Sequence, residues 1–250
     1  MAPRAGLHYI HGKMSPSALN RTSQRNALRF KTRVLNRVRA LMVATPIEAQ
    51  LASRTQGKRP SDVLCRFIPP NYLFPIPSRR VVSRGGLRLD LDVSNYVDHV
   101  AYFGLNDDNH HLFFERLTPT MTVLDVGANI GYFALRVAQL VDKGRVVGFE
   151  PDPDNFRSAQ RNLSLNSLQN LEVLNIGLSD RDGDGALFRL DENNTGTNSL
   201  VASGHPSSLG KPSANIVLRT LDRIVREKAF TNVDAIKIDV EGHELNVLRG

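Results

Sequence analysis

The sequence predicts an α/β fold, a parallel sheet with helices on both faces, and three observations carry that reading. Beyond Thr118, short apolar runs alternate with helical patterns, as strands and crossover helices of a parallel sheet do. One such run, Thr122–Val126, leads directly into a turn with glycines four apart, Gly127 and Gly131, and then into a helical stripe. Acids stand at the ends of the first two runs, Asp125 and Glu150, where open α/β sheets bind their ligands.

Each element follows from local pattern. Phe133, Val137, Leu140 and Val141 form an apolar stripe at helical spacing after the glycine turn. Arg145–Phe149 is the second strand. Phe156, Ala159 and Leu163 mark a helix that starts after Asp152-Pro153-Asp154, and Leu171–Ile176 is the third strand. Ala186–Leu190 and Ile216–Leu218 read as added strands on either side of a polar loop, residues 191–215. Leu221–Lys228 is a helix behind a Thr220 cap. Val233–Val240 reads as a buried strand, and another helix begins at Gly242.

Upstream, four prolines, Pro69, Pro70, Pro75 and Pro77, break the chain before two short strands around Gly85-Gly86. Tyr96 to Leu117 is helical in parts, and Thr118-Pro119 closes this region. The expected organisation is a basic extension over 1–60, a small pre-domain over 61–118 and the sheet domain over 119–250.

The net charge of +7 is unevenly placed. Residues 1–60 hold 12 lysines and arginines against one acid, Glu48, and the remaining residues hold 20 basic and 24 acidic groups. Arg21, Arg25, Arg29, Arg33, Arg37 and Arg39, interleaved with Leu28, Val34, Leu35, Val38, Leu41 and Met42, allow three readings. These are a basic amphipathic helix on an anionic membrane surface, an organelle-targeting segment, or a solvated extension. Aromatic interleaving is absent, so no nucleic-acid partner is expected. The single cysteine, Cys65, excludes an internal disulfide framework and a cysteine-cluster metal site and suits a reducing, cytoplasmic compartment. No run approaches the roughly 18 apolar residues of a membrane span, and the first 30 residues lack the apolar core of a signal peptide.

The glycine turn points to a particular cofactor. Its middle position is Asn129, not the third glycine of a dinucleotide fingerprint. An acid at the end of the first strand fits poorly against a pyrophosphate and well near an amino acid's ammonium. Acid-x-Gly-x-x-x-Gly is the pattern of a class I (Rossmann-like) S-adenosylmethionine-dependent methyltransferase, whose cofactor has a sulfonium, an amino acid end and a ribose but no phosphate. Glu150, followed by Pro151, stands where an acid accepts the ribose hydroxyls. The Gly177–Asp180 turn would flank the adenine, with Asp180 or the Leu178 backbone at its amino group.

A second cluster, Lys237-Ile238-Asp239-Val240-Glu241-Gly242-His243-Glu244, places three carboxylates and an imidazole at a strand end. Asp239 and His243 are the candidate bases for a hydroxyl proton. Glu241 and Glu244 also suit compensation of a helix N-terminus. Two carboxylates as close as Asp239 and Glu241 do not specify a metal. The Thr195–Ser213 loop would help shape an acceptor pocket.

These blocks resemble the FkbM family of S-adenosylmethionine-dependent methyltransferases. The likeness lies in Val123–Phe133 with its Gly-Ala-Asn-Ile-Gly-Tyr-Phe core, Val146–Pro151, Asn162–Asn166, Leu178-Ser179-Asp180, Asn198-Ser199-Leu200, Thr220-Leu221-Asp222 and Lys237–Glu244. It implies O-methylation of a small-molecule or glycan hydroxyl. It also implies that Asp125, Gly127, Asn129, Gly131 and Glu150 hold the cofactor, with Asp239, Glu241 and His243 facing the transfer site.

Two rivals accompany this reading. A nicotinamide-dependent oxidoreductase is disfavoured by Asn129 and by the lack of a Tyr-x-x-x-Lys pair in the C-terminal half. The other is a truncated or degenerate cofactor-binding domain. The sequence stops at Gly250, just inside the helix after the fourth core strand, so the sheet is expected to lack its last strands and to expose an apolar edge.

Overall fold

The computed structural model describes residues 30–105, 110–189, 198–200 and 212–250. In chain order the elements are α1 (Phe30–Ala40), α2 (Pro46–Arg54), β1 (Arg79–Arg84), β2 (Leu87–Asp92), α3 (Tyr96–Phe103) and α4 (His111–Glu115). Then follow β3 (Thr122–Val126), α5 (Tyr132–Leu140), β4 (Arg145–Phe149), α6 (Pro153–Ser164), β5 (Leu171–Leu174), β6 (Gly177–Leu178) and β7 (Gly183–Arg189). The last elements are β8 (Asn198–Leu200), β9 (Ala214–Arg219), α7 (Leu221–Glu227), β10 (Ala235–Ile238) and α8 (Glu244–Arg249).

The central sheet is parallel with strand order β10-β3-β4-β5. Alternation along its strands sorts side chains to two faces. Leu124, Val126, Val147 and Phe149 pack with Ile224 of α7 and Val247 of α8. Val123 and Val146 turn the other way, onto Ala134, Val137 and Ala138 of α5. Apolar residues on both faces draw helices to both, so the sheet is doubly wound. The crossover order reverses between β3 and β10, and the crevice at their carboxyl ends is the switch point.

β10 is shorter and less buried than the run Val233–Val240 suggested. Asp234 is consumed in accepting from the Thr122 N–H at 2.7 Å. Within the described strands β10 pairs with β3 alone, and Ile236 is exposed. A second, four-stranded sheet has the order β6-β9-β7-β8, closed around Leu187, Ile216 and Leu218. The expected third strand ends at Leu174, and Gly177–Leu178 crosses into this second sheet by pairing with Leu218–Arg219.

Residues of the three expected parts share cores. Leu87, Leu89, Leu91 and Val93 of the hairpin share one core with Ile130 and Leu135 of the glycine turn and α5. Asn162 of α6 and Asn166, just beyond its end, complete the hairpin's free edge. Asn162 Oδ1 accepts from the Asp90 N–H at 2.8 Å, and Asn166 exchanges bonds with the Arg88 N–H and carbonyl at 2.9 and 2.8 Å.

The end of the basic extension also belongs to this body. Leu51 and Ala52 of α2 are core residues, the buried Thr55 hydroxyl donates to the Phe103 carbonyl at 2.7 Å, and Glu48 holds Arg80 at 2.9 Å. α1 is docked by Asn36 Nδ2 donating to the Tyr72 hydroxyl at 2.8 Å, while Val34, Val38 and Leu41 face outward. The remainder of the arginine-rich segment, including Arg21, Arg25 and Arg29, lies outside the described residues. We expect Leu51→Ala to destabilise the whole chain by about 2–5 kcal/mol, the scale of a core leucine truncation. A melting temperature equal to wild type would show that α2 is an appendage after all.

Candidate cofactor and transfer site

Strand β3 ends in a turn whose backbone no ordinary sequence adopts. Gly127 and Gly131 have φ of 83° and 78°, and Asn129, at 50°, is also left-handed, a region asparagine tolerates better than most residues. A Cβ on Gly127 would stand 2.0 Å from the Asp239 carbonyl oxygen. Gly127 therefore lets the ends of β3 and β10 close on each other. Gly131 starts α5 against Ala159 of α6, where a Cβ would lie 3.2 Å from the alanine's own.

The turn is polar, buried and incompletely satisfied. Among the described residues, Asp125 Oδ2 and Asn129 Oδ1 are buried side-chain oxygens without a hydrogen bond, while Asp125 Oδ1 is met by the Lys237 ammonium at 3.1 Å. Buried polar groups are normally paired, so two orphaned acceptors around one glycine turn fit a ligand carrying donors. Burial pushes the fully enclosed Asp125 carboxyl upward, and the Lys237 ammonium opposes that shift.

Glu150, at the end of β4, is preorganised by the backbone. Its Oε2 accepts from the Asn129 N–H at 2.7 Å and its Oε1 from the Asp152 N–H at 2.9 Å. Each oxygen keeps a further lone pair, so the carboxylate both fixes the turn and can take two hydroxyl donors. Burial raises its pKa to about 7 against the pull of those N–H groups.

On β10, Lys237 stands opposite Asp125 in the β10–β3 register. Its Nζ lies 2.9 Å from the Gly127 carbonyl, 3.1 Å from Asp125 Oδ1 and 3.6 Å from Asp239 Oδ2. Asp239 has 64% of its side chain exposed, while its N–H continues the sheet by donating to the Val126 carbonyl at 3.0 Å. Glu241 and Gly242 then take φ of 50° and 95°. Burial raises the Glu241 carboxyl, assisted by Asp239 and Glu244. The Glu244 carboxylate accepts from the Gly242 N–H at 3.1 Å, the helix-start role foreseen for it.

His243 is placed otherwise than a base facing the crevice. Its ring is buried, with Nε2 3.0 Å from Ser179 Oγ. Ser179 Oγ in turn lies 3.1 Å from Asp180 Oδ1, and Asn246 Nδ2 donates to Asp180 Oδ2 at 3.1 Å. Burial lowers the imidazole's pKa. His243 thus ties the start of α8 to the turn after β6. In that turn Asp180 is exposed, whereas the Leu178 side chain is committed to the core with Phe149 and Val247.

Two residues of the sequence motifs have no site role of their own in the sequence reading. Lys237 was part of a motif without a role of its own, because only tertiary contact sets it between two strand-end acids. Phe133 gathers His110, Phe113 and Phe114 at ring-centroid distances of 4.9, 5.4 and 5.2 Å, and the Lys237 ammonium lies 5.5 Å from its ring. The Thr195–Ser213 loop falls mostly outside the described residues. A depression lined by Arg145, Asn170 and Glu172 opens at the opposite, amino-terminal edge of the sheet, away from these groups. Among the described residues no group of three or more metal-ligating side chains occurs, and no helix is long and apolar enough to cross a membrane.

A sequence model described as "Methyltransferase FkbM domain" matches residues 125–250, half of the chain, beginning at Asp125 itself. The chain belongs to the FkbM methyltransferase family. S-adenosylmethionine is the cofactor of such methyltransferases, and the orphaned acceptors of Asp125 and Asn129 fit its donors. Among curated relatives, the hexuronic acid methyltransferase AglP of Haloferax volcanii is 30% identical over 141 residues, covering 56% of this chain and 53% of that protein. The 2-O-methyltransferase NoeI of Sinorhizobium fredii is 28% identical over 147 residues, covering 53% and 58%. The chain thus spans about half the length of these relatives. The crystal structure of methyltransferase FkbM from Methylobacillus flagellatus covers 88% of this chain and 44% of its own, at 15% identity and a TM-score of 0.37.

Proposed function

We propose that this chain is the cofactor-binding and transfer unit of an S-adenosylmethionine-dependent O-methyltransferase acting on a sugar, glycan or natural-product hydroxyl. The observation that carries the reading is the convergence of Asp125, Asn129 and Glu150 on one glycine turn, with the orphaned oxygens of the first two and the two backbone bonds of the third. The names of AglP and NoeI support the acceptor class. The buried Cys65 is in keeping with a reducing compartment, and the anionic-surface role of residues 1–60 stays a proposal of the sequence.

When bound, the cofactor supplies an electrophilic methyl group on its sulfonium. The chain's residues then have to align and to manage one proton. Glu150 accepts from the ribose hydroxyls while holding the turn. Asp125 takes the amino acid end, and Gly127, Asn129 and Gly131 bring backbone close to it. The Leu178 backbone and Asp180 flank the adenine. Asp239, exposed at the end of β10, receives the acceptor's proton, with Glu241 beside it. His243 serves this reading by holding the adenine-side turn in place.

Calorimetry with S-adenosylhomocysteine and NAD in parallel tests the assignment, and a pH series sharpens it. Burial raises the Glu150 carboxyl to about 7, and a ribose hydroxyl favours its ionised form. Affinity should therefore rise with pH through 7 and level off above, with binding at pH 6 down by up to about tenfold. The same shift runs oppositely for folding stability: a raised carboxyl favours the folded state at low pH, and that contribution is lost as pH rises from about 4.5 to about 7. NAD binding without a response to S-adenosylhomocysteine would sink the function.

A further inference from the structure

Resting on the reading that the crevice binds S-adenosylmethionine, we propose that Lys237 is a cofactor-binding residue. Together with Asp125 it recognises the zwitterionic amino acid end, Asp125 taking the ammonium and Lys237 the carboxylate.

The two side chains leave neighbouring strands at the same register position and on the face that carries α5. They form an ion pair of 3.1 Å with Asp125 fully enclosed and Lys237 only 12% exposed. An enclosed pair of this kind is a poor device for stability, because desolvating both charges offsets most of their attraction. Its placement gives it another use. It sits at the carboxyl edge of β3 and β10, on the Gly127 carbonyl, where the backbone turns from strand into the cofactor cradle.

Both members have capacity left. Asp125 Oδ1 already faces the Lys237 ammonium, but Oδ2 makes no hydrogen bond, so a donor can be added there without displacing one. The Lys237 ammonium has its loosest contact with Asp239, at 3.6 Å, and its flexible stem lets that hydrogen swing to a second carboxylate. The face of Phe133, 5.5 Å away, backs the ammonium without competing for its hydrogens. An amino acid zwitterion matches this pair charge for charge. A lysine that merely offset Asp125 would be indifferent to whether the ligand carried a carboxylate.

That indifference is the test. Calorimetry on the full chain would compare S-adenosylmethionine with decarboxylated S-adenosylmethionine, which keeps the sulfonium and ammonium but lacks the carboxylate. The wild-type chain should bind the intact cofactor about 10- to 100-fold more tightly, the range of a charge-assisted hydrogen bond. Lys237→Met should lose that margin while its affinity for the decarboxylated compound stays within about threefold, and Lys237→Arg should keep most of it. If Lys237→Met weakens both ligands alike, the residue only supports the turn and the proposal fails. It fails equally if the wild-type chain binds the two compounds equally, a result that needs no variant to fold. Failure of the wild-type chain to bind either overturns the cofactor reading itself, and the assignment of Lys237 falls with it.

Discussion

Gly127→Ala is expected to destabilise the chain by about 3–5 kcal/mol and to abolish measurable binding of S-adenosylhomocysteine. Two penalties coincide at this position. At φ 83° an alanine carries left-handed strain of about 1–3 kcal/mol. Its Cβ would also lie 2.0 Å from the Asp239 carbonyl oxygen and 3.0 Å from its carbon, and backbone cannot yield as a side-chain tip can. Relief requires β10 to move from β3, separating Asp125 from Lys237 and opening the crevice. Gly242 is the control. Its φ of 95° is equally left-handed, but nothing lies within 4 Å of a Cβ there, so Gly242→Ala should show the strain alone. Thermal melts and calorimetry on both variants decide the matter. Equal losses would mean that the close approach at Gly127 is not what shapes the site.

Asp239→Asn is expected to lower methyl transfer to a sugar acceptor about 10²–10⁴-fold, the range for removal of a general base, with cofactor affinity and melting temperature close to wild type. The side chain is mostly exposed, and its described contact is the 3.6 Å approach to Lys237, so little of the fold rests on it. Its backbone N–H keeps the bond to Val126 whatever the side chain. His243→Ala supplies the contrast. That ring is buried against Ser179, so its loss should weaken S-adenosylhomocysteine binding and lower the melting temperature. Undiminished turnover in Asp239→Asn would remove Asp239 from the proton path and return attention to Glu241.

His243 shows how far the linear motif reached. Three acids and an imidazole within six residues mark a site, and they do surround one edge of the sheet. Their order along the chain says nothing of direction. The left-handed backbone at Glu241 and Gly242 separates the strand's continuation from α8, leaving Asp239 in solvent and His243 beneath Ser179. A rotation of the chain over two residues thus divides one sequence cluster into an exposed acid and a buried imidazole.

Packing across the expected domain boundaries is hidden for a related reason. The change in charge after Pro60, the four prolines between 69 and 77 and Thr118-Pro119 read as seams, because composition reports what each segment exposes to water. It does not report which partner a buried face will find. Leu51 and Ala52 sit within an arginine-rich stretch, yet their helix closes a core made by Leu87, Leu89 and Phe103. The asparagines at 162 and 166 matched a family block, but only the folded chain shows that they complete the edge of a hairpin more than 70 residues upstream.

The sequence by itself determined the parallel α/β sheet, the glycine turn and the acids at the first two strand ends. Each of these is a local necessity: period-two and helical patterning sorts apolar residues to faces, and only certain residues accept a left-handed turn. Tertiary structure alone decided the fusion of the N-terminal helices and hairpin with the sheet, the locking of His243 to Ser179, and the setting of Lys237 between Asp125 and Asp239. Those depend on which distant surfaces meet, and burial and charge pairing are properties of the meeting rather than of either segment.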